Sequence, residues 1–168
     1  MTTYPANLKR YETVEAWIDG ASKGNPGPGG YGIVLRHKKT GSTRYLAGAQ
    51  PNGTNNQMEL MAAIRALQAI KTPCVVVLRT DSQYVWKGWS EQLAVWQTNG
   101  WRTSNKQPVK NVDLWRQLIE AARPHLVTIE WVQGHADCVE NLKADELASG
   151  AARYCATTGK VGPWSQAA

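Results

Sequence analysis

The run Val75-Val76-Val77-Leu78 constrains this chain more than any other segment. It begins after Pro73 and stops at Thr80-Asp81, and a β-branched run of that length favours a strand buried on both faces. Such a strand needs neighbours in its own sheet and helices above and below it, so it belongs near the middle of an α/β sheet. The flanking segments supply those partners. Val14 to Asp19, Tyr31 to Arg36, Thr43 to Gly48 and Val127 to Trp131 read as further strands. Thr54-Asn55-Asn56-Gln57 is a candidate capping box, and Leu60, Met61, Ile64, Leu67 and Ile70 then keep helical spacing, which predicts a helix over 55–70. Helical spacing returns from Glu140 to Tyr154 through Leu142, Leu147, Ala148 and Ala151. The order β-β-β-α-β-α-β-α predicts a mixed sheet with helices packed on it.

Between these elements, Lys23 to Gly30 is rich in Gly and Pro and reads as a turn. Residues 82–123 hold five of the eight tryptophans, broken by Gly100 and Pro108, which predicts short helices around a loop from Arg102 to Val109. Packing in the core is the expected role of Trp96, Trp101 and Trp115. The 168 residues fit one domain with its core over about 13–156, a loose arm at 1–12 and a frayed tail over 157–168. No run is long and apolar enough for a membrane span, so no membrane association and a cytoplasmic location are expected. Cys74, Cys138 and Cys155 are odd in number and widely spaced, as reduced thiols would be. The net charge of +6 favours a polyanionic partner.

Four acids stand at junctions of this plan: Asp19 after the first strand's apolar run, Glu59 early in the first long helix, Asp81 after the central strand, and Asp145 in the last helix. Taken singly, an Asp or Glu is usually a solvated residue or a cap. Asp19 and Asp81, however, each directly follow a run of apolar residues, where a charge is half buried. In α/β sheets, sites form outside the carboxyl ends of neighbouring strands, which is where these two meet if their strands pair. A helix crossing the sheet can add Glu59. Clustered carboxylates repel one another unless a cation sits among them, and magnesium prefers such oxygens and accepts phosphate in its remaining positions.

At these residues the chain resembles the bacterial-type ribonuclease H family of type 1. The resemblance rests on Ile18-Asp19-Gly20-Ala21 leading into Gly24-Asn25-Pro26-Gly27, on Thr54-Asn55-Asn56-Gln57-Met58-Glu59-Leu60 and on Thr80-Asp81-Ser82-Gln83-Tyr84. It continues through Pro108-Val109-Lys110-Asn111-Val112-Asp113-Leu114-Trp115, Gly134-His135 and Ala144-Asp145-Glu146-Leu147-Ala148. It implies a ribonuclease H-like fold with a five-stranded mixed sheet, three antiparallel strands then two parallel, and helices on both faces. The implied activity is endonucleolytic hydrolysis of the RNA strand of RNA–DNA hybrids, leaving 5′-phosphate and 3′-hydroxyl ends. Asp19, Glu59, Asp81 and Asp145 become the metal-binding carboxylates, for two Mg2+ ions with Mn2+ as a substitute. His135 takes a role in proton transfer or product release.

By the same resemblance, Asn25, Asn55 and Gln83 reach the minor groove, near the backbone of Ala21 and Ser22. Residues from Trp86 to Trp115 correspond to a basic protrusion that grips the DNA strand, with Arg102, Lys106 and Lys110 as its cations. The chain departs from the family in Gln97-Thr98-Asn99, Gln57 and Gln133, where basic residues are common, and in Asp137, where Gly is common. Fewer phosphate contacts imply a shallower salt dependence. A monomer is the expected state. Two alternatives are a different polynucleotidyl transferase of the same fold, such as a junction resolvase or a reverse-transcriptase domain, and a non-catalytic hybrid-binding module. The chain's start at Met1 counts against the polymerase fragment, and all four acids with His135 count against the binding module.

Overall fold

The computed structural model describes residues 11–134 and 137–166. Its sheet is organised around β1 (Thr13–Ser22). On one side β2 (Gly27–His37) pairs antiparallel with β1, and β3 (Thr43–Gly53) pairs antiparallel with β2. On the other, β4 (Val75–Thr80) pairs parallel with β1, and β5 (Leu126–Trp131) parallel with β4. Parallel neighbours need crossovers. α1 (Asn55–Ala69) makes the first of them, and the second contains α2 (Gln83–Lys87), a π-helical turn at Gly88–Gln92, α3 (Leu93–Asn99) and α4 (Val112–Ala122). α5 (Val139–Thr158) follows β5.

The sheet has six strands where five were expected. β6 (Gly162–Pro163) comes from the segment predicted to fray and pairs with Gly48 and Ala49 of β3. The cause lies one residue further on. Trp164 donates its amide to the Ala47 carbonyl at 2.9 Å and packs its ring near Tyr154 and over Gly150, where a Cβ would collide with it. Burying that indole against α5 pins the residues before it.

The glycine-rich segment also differs from its reading as a turn. Only residues 23–26 turn, and β2 starts at Gly27. Here the missing Cβ atoms serve packing. A Cβ at Gly30 or Gly32 would fall on the Ala148 or Ala144 carbonyl, so the backbone of α5 lies directly against β2. β1 likewise runs three residues past Asp19, because Gly20 to Ser22 keep pairing with Gly29 to Tyr31.

Alternation along the strands sets two cores. Ile18, Ile33, Leu60, Ile64, Leu78 and the fully buried Trp115 fill the side covered by α1 and α4. Trp17, Val34 and Ala144 pack on the α5 side. β4 lies between β5 and β1, as its apolar run requires, yet only Val76, Leu78 and Thr80 are fully buried. Val75, Val77 and Arg79 are half covered because α5 packs over β1, β2 and β3 and stops short of β4. Arg79 fills that gap, bonding Glu15 at 2.6 Å and Glu130 at 3.2 Å with its guanidinium over the Trp17 ring. The three cysteines are free, and no helix among the described residues is long and apolar enough to cross a membrane.

Candidate active site

The parallel pairing of β1 with β4 places Ile18 opposite Thr80, so Asp19 and Asp81 follow side by side at the carboxyl ends of their strands. Gly20 brings in the third acid. A Cβ there would fall on the Met58–Glu59 peptide, so α1 crosses β1 in backbone contact and carries Glu59 to Asp19. The entry of α1 is fixed by the predicted capping box: Thr54 Oγ1 accepts from the Gln57 amide at 3.1 Å, and Gln57 Oε1 accepts from the Thr54 amide at 3.0 Å. Carboxylate oxygens of Asp19, Glu59 and Asp81 all lie within 4.8 Å of one another. Asp145, on α5, is outside this group of three but acts electrostatically on Asp19.

Asp19 and Glu59 are only 6% and 8% exposed, which makes their ionisation costly. Burial raises the Asp19 carboxyl from 3.8 to about 7, with Asp81 and Asp145 pushing the same way and the Gly20 amide, donating at 2.9 Å, opposing them. Burial raises Glu59 well above the usual carboxylate range, and the charges of Asp19 and Asp81 add to it. Glu59 Oε2 is buried without a hydrogen-bond partner. A hard divalent cation answers both features, because it supplies the missing partner and offsets the mutual repulsion of the acids. The donor set therefore fits such an ion.

Asp81 is further held by its surroundings. The Trp131 indole donates to its backbone carbonyl at 3.1 Å, and a Cβ on Gly134 would stand 2.6 Å from Asp81 Oδ2. Any larger residue at 134 would press on the Asp81 carboxylate. His135 itself lies outside the described residues.

The expected substrate-binding residues separate into three places. Asn25 and Asn55 come together, the Asn55 amide donating to Asn25 Oδ1 at 3.0 Å while Asn55 Oδ1 accepts from the amide and hydroxyl of Ser22. Both line a cleft of about 520 Å³ whose other wall carries Lys110. Gln83 lines a separate cleft of about 250 Å³ with Lys87 and Trp96. Arg102 and Lys106 are exposed in the loop after α3, tied to each other by a 3.3 Å bond from the Arg102 guanidinium to the Lys106 carbonyl. Trp96 packs edge-on against Trp115. Sequence reasoning assigned no role to Asn111, which lines the Asn25 cleft with backbone in the left-handed region (φ 59°). An Asn just ahead of a helix was the available signal, since Asn tolerates that conformation.

Buried acids converging at the carboxyl ends of a parallel strand pair are the donor set that a metal-dependent hydrolase of the α/β class uses. The chain belongs to the RNase H family, whose model matches residues 11–153. It is 55% identical to a ribonuclease H of Mesorhizobium japonicum over 135 residues, 80% of this chain and 75% of that one. It also superposes with a TM-score of 0.78 on LC9-RNase H1, a type 1 RNase H with the type 2 active-site motif, at 29% identity over 93% of this chain and 78% of that one. LC11-RNase H1, solved in complex with an RNA/DNA hybrid, shares the fold with a TM-score of 0.65 at 20% identity, over 85% of this chain and 99% of that one. The chain is therefore an enzyme that hydrolyses the RNA strand of RNA–DNA hybrids.

Proposed function

We propose that Asp19, Glu59, Asp81 and Asp145 together hold two Mg2+ ions, with Mn2+ able to replace them, and that hydrolysis leaves 5′-phosphate and 3′-hydroxyl ends without strong sequence preference. The observation that carries this reading is the buried, unpartnered Glu59 Oε2 inside a cluster of like charges. Held by these carboxylates, divalent ions would supply an acidified water and a counter-charge for the phosphate and the departing oxygen. The chain's own residues do the rest. Asp19 and Glu59 are set on β1 and α1, which are in backbone contact at Gly20. Asp81 and Asp145 come from two other elements, the end of β4 and α5.

Asn25 and Asn55 read the 2′-hydroxyl face of the RNA strand, while Lys110, Arg102 and Lys106 hold phosphates of the DNA strand and Gln83 contacts the minor groove near the cut. LC11-RNase H1, which shares the fold, was solved with an RNA/DNA hybrid, which supports a hybrid as the ligand. The working unit is a monomer located in the cytoplasm. Cleavage of a labelled hybrid, duplex DNA and a four-way junction in parallel, with Mg2+ and with chelator, tests this. Cleavage confined to the RNA of the hybrid and abolished by chelator is the expected result, and cutting of junctions would point to a resolvase instead.

His135 moves a proton or aids product release during turnover. His135→Ala is expected to slow turnover by about a hundredfold or more with hybrid affinity nearly unchanged. Turnover equal to wild type refutes the role.

A further inference from the structure

The cleft between Asn25 and Lys110 has walls drawn from distant parts of the chain: the entry of α1 on one side, and the segment leading into α4 on the other. Gln57 stands where they meet and uses both ends of its side chain. Its Oε1 accepts from the Thr54 amide at 3.0 Å, completing the capping box, and its Nε2 donates to Asn111 Oδ1 at 3.2 Å. Asn111 Nδ2 in turn donates to the Tyr84 hydroxyl at 3.0 Å, which also accepts from the indole of the fully buried Trp115 at 3.2 Å. A continuous line of hydrogen bonds therefore runs from the start of α1, across the floor of the cleft, to the core side of α4. A side-chain amide suits position 57 because a carboxylate brings no donor to Asn111 Oδ1 and an amine brings no acceptor to Thr54. At the other end, the left-handed backbone of Asn111 (φ 59°, ψ 32°) restricts that position to few residue types.

We infer that Gln57 is a positioning residue, a strut that sets the width of the cleft before a nucleic acid enters it. Holding two walls in their bound spacing removes an ordering cost that would otherwise weaken association. The inference rests on the reading of this cleft as the hybrid-binding surface. The strut acts on binding rather than on chemistry, because Asp19 and Glu59 are fixed by the separate backbone contact at Gly20.

The test measures KM, kcat and melting temperature for wild type, Asn111→Gly, Gln57→Ala and the double variant on one hybrid in Mg2+. Glycine at 111 accepts the left-handed backbone and leaves the capping box whole. Asn111→Gly is expected to raise KM roughly three- to tenfold, the worth of a net hydrogen bond, with kcat within about twofold of wild type. Since both changes cut the same link, the double variant should show the KM of Gln57→Ala alone. KM increases that multiply would mean that each residue touches the substrate by itself, and a lowered melting temperature with unchanged KM would reduce the link to a fold contact. Either result overturns the strut. Should Gln57→Ala fail to fold, the KM-against-kcat split of Asn111→Gly decides alone. Wild-type protein that leaves the hybrid intact would instead sink the parent reading, which separates the two failures.

Discussion

Asp81→Asn is expected to lower hybrid hydrolysis by about a thousandfold or more while hybrid binding stays within about threefold of wild type. The substitution keeps the shape of the side chain and removes one negative charge. Its surroundings favour a clean comparison: the backbone carbonyl of residue 81 still accepts from Trp131, and Gly134 still leaves room for a side chain of that size. Thr80, fully buried just before it, continues to anchor the strand end. A large rate loss in a folded variant therefore reports on the cation site rather than on collapse. Single-turnover cleavage beside a filter-binding titration reads the two quantities separately. Near-normal cleavage by Asp81→Asn would remove this residue from the machinery and leave the acidic cluster without its role.

The second large effect concerns stability and has the opposite sign. The Asp19 carboxyl sits at about 7 in the folded chain against 3.8 as its ordinary value, chiefly because burial penalises the charge. A group whose folded pKa is raised stabilises the fold below its unfolded pKa, and that contribution is lost as pH climbs through the folded one. Metal-free protein should accordingly weaken between about pH 4 and pH 7, with Glu59, shifted the same way, extending the loss upward. Asp19→Asn removes one charge from the cluster. In chelator at pH 8 the variant is expected to melt roughly 5–10 °C above wild type, with the difference shrinking toward pH 4. Added Mg2+ should raise the melting temperature of wild type and leave that of the variant nearly still. A variant that melts below wild type at pH 8 would mean that the acids carry no mutual strain.

Much of this arrangement could be read from residues alone, for identifiable reasons. The five expected strands and the helix behind Thr54 were legible because their patterns depend on local chemistry, the period of the side chains and a capping box. The meeting of Asp19, Glu59 and Asp81 followed from strand ends plus one crossover. What stayed hidden depended on distant partners. Nothing near Gly162 announces a strand, since its pairing is secured by Trp164 packing on Gly150 of α5. Gly29 and Gly30 looked like part of a turn because glycine is a turn residue by local rules, whereas here they admit Met58 and α5 to the strand. The half-covered face of β4 likewise reflects where α5 lies, which β4's own sequence cannot encode. Among the substrate-binding residues, Asn25, Asn55 and Lys110 share one cleft, while Gln83 lines another and Arg102 with Lys106 lies in the exposed loop.

The short pairing of β6 with β3 has a consequence for how copies of this protein coexist in solution. Without it, β3 would end the sheet with open amides and carbonyls around Ala47 to Gln50, the kind of border that recruits strands from other molecules. Trp164 donates to Ala47 and Gly162 and Pro163 cover the next two positions, so that border is closed from within. At the opposite border, β5 carries exposed Thr128 and Glu130, whose polarity discourages the same pairing. A chain that lost the residues after Thr158 would keep its acids in place and become prone to self-association through β3.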